Sequence, residues 1–277
     1  VEWLFVPFEL GFQQRALIGG ILAALMASTV GTWLVLRGMS FFGDAFVHGI
    51  VPGIAAAVVF DVNPLLGAAV AALVMVLAIE LVQRRTTLAE DTSIGLLFVG
   101  MLALGVVIIS QLDSYSGSLT TILFGDALGV SWASIVGQLV VLAIVVVASV
   151  VLYRPLMALS LNRDKAELLG MRPHFAHAAL LVLIALAVIG SYQSVGTLLV
   201  FGLLVGPPAT ASLLSRTVRQ MIVIAAVIGV VSVWAGLMIS YYWGTAASAT
   251  MALVPIVLFF LVLAATQLVA KRTAVAA

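Results

Sequence analysis

The sequence predicts an all-α fold, a polytopic bundle of about eight or nine transmembrane helices with one short cytoplasmic coupling helix. Three observations predict it. Of 277 residues, 64% are hydrophobic and only 8% charged, and the mean hydropathy is +1.29. Soluble domains carry about 25% charged residues, so this chain cannot solvate an ordinary surface. Its apolar residues fall in runs close to the roughly 20 residues that a helix needs to cross a bilayer. Its basic residues gather in alternate gaps between those runs, the pattern that orients helical membrane proteins. Residues 1–277 read as a single transmembrane domain.

Taken in order, the spans fall at about 16–36, 44–60, 64–82, 94–111, 132–153, 176–192, 196–214, 221–240 and 249–268. Asp61-Val62-Asn63-Pro64 separates the second from the third as a tight turn, with the proline restarting a helix. The seventh contains Pro207-Pro208 and is expected to kink or break there. Arg37, Arg84, Arg85, Arg154, Arg163, Lys165, Arg172, Arg216, Arg219, Lys271 and Arg272 all fall on one side of this layout, and Arg15 falls on the other. By the positive-inside rule the larger set is cytoplasmic, as is the C-terminus. Trp132 and Tyr241-Tyr242-Trp243 then fit the outer aromatic belt. Gly20, Ala24 and Ser28 form one small-residue stripe, Gly202 and Gly206 a second, and Gly229, Ser232 and Gly236 a third. Such stripes let helices approach closely in lipid and say nothing about substrate.

Composition also excludes. A net charge of +1 argues against nucleic acid, which needs a concentrated basic face. The absence of cysteine removes disulfides and thiolate metal sites. Val1-Glu2-Trp3 lacks a basic leader region and a small-residue cleavage site, so no signal peptide is expected. The sequence holds no HExxH or GxSxG motif, which leaves an intramembrane enzyme without a catalytic constellation. It also holds no GxxxxGK[ST] loop, so any ATP-driven step requires a separate ATPase polypeptide.

Within Gly-Met-Ser-Phe-Phe-Gly-Asp-Ala-Phe-Val-His-Gly (38–49), Asp44 and His48 stand four residues apart. On a helix that is about one turn, so both side chains point the same way. Ionisable groups at membrane depth are costly and mark substrate or ion paths. Imidazole suits zinc, and carboxylate suits zinc or manganese, so the pair points to a path for a divalent metal. The alternative is a buried hydrogen bond that only locks two helices together. One chain supplies two ligands; two copies about a two-fold axis would supply four, enough for tetrahedral zinc or, with waters, a larger manganese shell. The two-His, two-Asp set leans toward zinc.

The fifth-to-sixth cytoplasmic loop, about 154–173, contains a second element. In Leu161-Asn162-Arg163-Asp164-Lys165-Ala166-Glu167-Leu168-Leu169-Gly170-Met171-Arg172-Pro173, Asn162 can cap a short helix, Gly170 can end it, and Pro173 prevents resumption. Leu161, Leu168 and Leu169 give one apolar side, and the Ala166-to-Gly170 step suits docking into a groove on a partner protein. A helix lying on the lipid surface is the alternative, opposed by Asp164 and Glu167, which anionic headgroups would repel. Elsewhere, Glu80 and Arg84 read as an i,i+4 ion pair and Glu90-Asp91-Thr92 as a cap on the fourth span. Asp126 reads as a turn or cap before the fifth span, and His174 and His177 as interfacial packing rather than metal ligands.

With these residues in place, the chain resembles the membrane permease of the bacterial zinc/manganese/iron uptake ABC transporters (the ABC-3 type metal permease) nearly end to end. The resemblance rests on residues 35–49 with Asp44 and His48, on Asp91-Thr92-Ser93-Ile94-Gly95-Leu96-Leu97-Phe98, and on Leu123-Phe124-Gly125-Asp126. Asp164-Lys165-Ala166-Glu167-Leu168-Leu169-Gly170 is similar to the family's coupling segment, and 195–209 to its late proline-containing helix. Pro207-Pro208 departs from the single proline followed by alanine that many members carry. The resemblance implies a permease homodimer, two cytoplasmic ATP-binding cassette ATPase subunits and an extracytoplasmic metal-binding protein. It implies no cofactor bound by this chain, only the transported zinc or manganese ion, and no enzymatic activity of its own. A stand-alone, ion-coupled secondary metal carrier is the competing reading, against which the sequence shows no internal inverted repeat. Uptake of a larger chelate is a third reading, opposed by the metal-ligating pair.

Overall fold

A computed structural model of the chain describes residues 6–86, 89–110, 128–161, 167, 171–195 and 197–276. After a short 3₁₀ turn at Val6–Glu9, the regular elements are α1 (Gly11–Leu36), α2 (Ser40–Gly49), α3 (Val51–Val59), α4 (Pro64–Arg85) and α5 (Glu90–Ile109). These are followed by α6 (Trp132–Val151), α7 (Tyr153–Leu161), α8 (Pro173–Val195), α9 (Thr197–Leu214), α10 (Val218–Trp243) and α11 (Ala247–Ala276). Among the described residues, eight stretches are long and apolar enough to span a membrane, α2 and α3 counting as one. The apolar part of α9, Val200–Leu214, is a shorter ninth. The chain is a multi-pass membrane protein.

The bundle is built around α1, which packs against α6, α8, α9 and α10. Ala23, Ala24, Met26, Val30, Trp33 and Leu34 on α1 are almost wholly buried. Lipid tails are as apolar as leucine, so burial alone does not hold such helices together; close packing does. The small residues supply it. Gly229 of α10 lies against Ala24 and Ser28 of α1, and the Ser28 hydroxyl donates to the Ala225 carbonyl at 3.0 Å. Gly202 and Gly206 of α9 meet Ala252 and Pro255 of α11. Gly53 of α3 and Gly67 of α4 face each other so closely that a methyl group on either would strike the other's carbonyl.

The α3–α4 turn forms as its residues dictate. Asp61 takes a left-handed conformation (φ 52°), the Asn63 side chain accepts the Leu65 amide at 2.9 Å, and Pro64 opens α4. Two expectations are corrected, and the second span, still one span, is divided into two helices. The second span is broken after Gly49, because Pro52 has no amide to give the His48 carbonyl four residues back. Conversely, α9 runs unbroken through Pro207 and Pro208. Proline 208 leaves the Leu204 carbonyl without an intrahelical donor, and Gly31 of α1 packs directly onto that carbonyl. Finally, Glu90-Asp91-Thr92 form the first turn of α5 instead of capping it: Ala89 is the cap residue and makes no side-chain bond. The acidity of Asp91 still complements the positive end of the helix dipole.

The arginines converge on one end. Arg37, closing α1, donates from Nη1 to Nδ1 of His177 near the start of α8 at 2.7 Å. One turn back, Trp33 stacks edge-on against Tyr153, the neighbour of Arg154, at 5.5 Å. Arg15, near the opposite end of α1, donates to the Val130 carbonyl at 2.9 Å.

Candidate functional site

The loop Arg37-Gly38-Met39 sets the direction of α2. Gly38 takes φ 68°, which favours glycine, and its amide returns to the Val35 carbonyl while that of Met39 returns to Leu34. α2 then buries one face completely. Phe42 and Phe46 are fully enclosed, Gly43 abuts Leu204 and Phe201 of α9, and Gly49 abuts the Met75 thioether of α4. With those contacts fixed, Asp44 and His48 emerge together on the opposite face, 29% and 18% exposed.

His48 Nε2 lies 3.5 Å from Asp44 Oδ1. That is an ion-pair separation at the outer edge of hydrogen bonding, since N–H···O bonds prefer about 2.7–3.2 Å. Both residues belong to one helix, so their contact cannot lock two helices. The carboxylate retains acceptor capacity for a cation. The imidazole is steadied by Phe98 of α5, 5.7 Å away between ring centroids, and Phe98 in turn meets Phe41 edge-on at 5.9 Å. α2 and α5 therefore present one continuous face: an aromatic wall beside a carboxylate and an imidazole. No sequence spacing connects Phe98 to His48; only the packing of α5 on α2 does.

Among the described residues, no group of three or more His, Cys, Asp or Glu side chains comes together. Asp44 and His48 thus offer two potential ligands within one chain. His177 is 2% exposed, and the guanidinium of Arg37 can only donate, so Nδ1 accepts and the ring proton sits on Nε2. His174 is exposed and stands beside Glu167, Arg172 and Phe175 around a surface cavity of about 600 Å³. Of the expected coupling residues, Glu167 is exposed, whereas Asp164, Ala166, Leu168 and Gly170 lie outside the described residues. So do Asp126 and the Arg84 side chain expected to pair with Glu80.

The family model of the ABC 3 transport family matches residues 9–266. The chain belongs to the ABC 3 transport family. It is 35% identical over 254 residues to the manganese transport system membrane protein MntC of Listeria innocua, covering 91% of this chain and 90% of that one. It is 31% identical over 236 residues to the chelated iron transport system membrane protein YfeD of Yersinia pestis, covering 85% of this chain and 79% of the relative. Among solved structures, a chain of PsaBC from Streptococcus pneumoniae, in complex with Fab, superposes with a TM-score of 0.83 at 31% identity, covering 94% of each chain. The fold expected from the sequence is therefore that of an ABC permease, and the family suggested by residues 35–49 is the family found.

Proposed function

We propose that the chain is the permease subunit of an ATP-driven importer of a divalent transition metal, with Asp44 and His48 as its ligands along the path. The observation that carries this reading is the pair itself: two ligating groups on one turn, held apart, facing away from the protein's own core. Two copies that bring their α2/α5 faces together would supply two carboxylates and two imidazoles, a set that binds a first-row divalent ion. Incomplete ligation by each copy suits a path, because an ion must leave as readily as it enters. Cytoplasmic ATPase subunits would supply the energy and dock at 164–170, and an external metal-binding protein would deliver the ion in the cytoplasmic membrane. Membership of the ABC 3 transport family weighs against a stand-alone carrier.

Ligand count alone leans to zinc, whereas the name of the Listeria relative favours manganese, and we adopt manganese as the first substrate to test. The test is isotope uptake into liposomes holding the permease with its ATPase and binding protein. ATP-dependent manganese accumulation that is lost in Asp44→Asn supports the reading. Equal uptake by the variant per assembled complex overturns the assignment of the pair. Uptake of zinc or iron in place of manganese corrects the substrate and leaves the pair in position.

A further inference from the structure

At the arginine-rich end, two basic residues from distant parts of the chain share one groove. Arg154 at the start of α7 and Arg219 in the first turn of α10 line a cavity of about 470 Å³ together with Val150, Val151, Ile222 and Val223. Arg219 also borders an adjoining cavity of about 590 Å³ that includes Arg216. Among the described residues, neither lining contains a carboxylate. Among the described residues, none of the three guanidinium groups has an ion-pair partner.

The register of the two walls matters more than the charge alone. Arg154 follows Val150 by four residues and Val151 by three, while Arg219 precedes Val223 by four and Ile222 by three. Helical positions three or four apart share a face. The chain keeps helical register across Leu152, whose amide donates to Ala148 and whose carbonyl accepts from Leu156. Each wall therefore places its arginine about one turn from a pair of apolar residues, with both arginines at the same end. Val150, Val151 and Val223 are 70%, 73% and 58% exposed, so the groove is open sideways along membrane-spanning helices.

We propose that this groove binds an anionic phospholipid, with its phosphate between Arg154 and Arg219, Arg216 at the margin, and an acyl chain along Val150, Val151 and Val223. Only a ligand with a charged head and an apolar tail satisfies both halves of the groove. A soluble partner could reach the guanidinium groups but not the valines below them. Basic pockets between spanning helices on the positive side of a membrane favour anionic headgroups, at about 1 kcal/mol per basic residue. This inference does not depend on the role of Asp44 and His48.

The test uses the full chain co-purified with its ATPase, equilibrated with phosphatidylglycerol and phosphatidylcholine in equal amounts, and assayed for retained lipid by native mass spectrometry. Wild type retains phosphatidylglycerol preferentially. Arg154→Gln with Arg219→Gln lowers that retention by about fivefold for each guanidinium removed. The double lysine variant keeps the retention, because charge stays at headgroup depth. Arg85→Gln, an exposed arginine elsewhere on the chain, leaves it unchanged. Val223→Trp fills the groove and lowers retention with both arginines present; it decides the question should the glutamine variant fail to assemble. Equal retention of the two lipids by wild type overturns the proposal, as does unchanged phosphatidylglycerol in either the glutamine or the tryptophan variant. Loss of the ATPase with retention intact also overturns it and assigns the arginines to a protein interface.

Discussion

Asp44 and His48 sit on one turn of one helix, and their proposed role as metal ligands rests on that placement. A packing pair would be enclosed and tightly bonded, whereas this one is held at 3.5 Å on a partly open face. Asp44→Asn preserves size and some hydrogen bonding and removes only the charge that balances a dication. His48→Ala removes the imidazole donor while α2 keeps its buried face of Phe42 and Phe46. Each variant is expected to lower metal uptake per assembled complex by more than the roughly 10–100-fold that loss of a mere supporting partner costs. Expression and melting temperature should stay near wild type, since neither side chain carries core packing. Isotope uptake normalised to assembled complex checks this; uptake that merely follows the amount of folded protein would return the pair to a structural role. The spacing of these two residues was legible in the sequence because helical periodicity is local. The Phe98 wall and the Arg37–His177 bond were not, because the latter joins positions 140 residues apart and nothing in composition or spacing encodes such a pairing.

Among the helices, hydropathy marked the spans, and residue chemistry marked the Asn63-Pro64 restart, but a break was expected at Pro207-Pro208 and none was read at Pro52. A proline breaks a helix where the freed carbonyl finds no other use for the continuous geometry. Pro52 breaks the second span immediately beyond His48. In α9 the same defect is absorbed, because Gly31 presses its backbone against the freed Leu204 carbonyl and the two helices are joined there. Whether proline breaks or is absorbed depends on the neighbouring helix, which a single segment of sequence does not contain. The glycines follow the same logic and permit a paired test. Alanine is the better helix former by about 1 kcal/mol, so Gly→Ala should stabilise wherever space is open. Gly100 has no neighbouring atom within 4 Å of the added carbon, and Gly100→Ala should be neutral or stabilising. At Gly53 or Gly67 the same change forces two backbones apart and should cost about 1–3 kcal/mol. Thermal unfolding of the three variants in one detergent measures the contrast, and equal melting temperatures would show that the α3–α4 contact is looser than described.

At the scale of the whole molecule, the proposed importer needs more than this chain supplies. The chain has no phosphate loop, so in the proposed importer ATP would be hydrolysed on another subunit, and the proposed docking segment at 164–170 should transmit the effect. Gly170→Glu, placed where close approach to a partner is expected, should leave membrane assembly intact while separating ATP hydrolysis from metal movement. Normal transport by a complex carrying Gly170→Glu would remove that segment from the coupling. On the proposed reading the ligand set is likewise half complete, and association of two copies would complete it. The α2/α5 face should therefore meet its own copy about a two-fold axis. The chain contains no cysteine, so a single introduced thiol reports on one position without background. Phe41 lies on the same face as Asp44, is 46% exposed, and touches Phe98 of α5. Val140 of α6 is 55% exposed on a different helix that packs against α1 and α8. In membranes containing the assembled transporter, a bifunctional maleimide should join Phe41→Cys chains into dimers and leave Val140→Cys chains single. Metal uptake by the joined complex should fall, because two faces tied together cannot separate to release the ion. Dimers from Val140→Cys and none from Phe41→Cys would place the contact on the other side of the bundle, and Asp44 and His48 would then lie too far from their copies to share one ion.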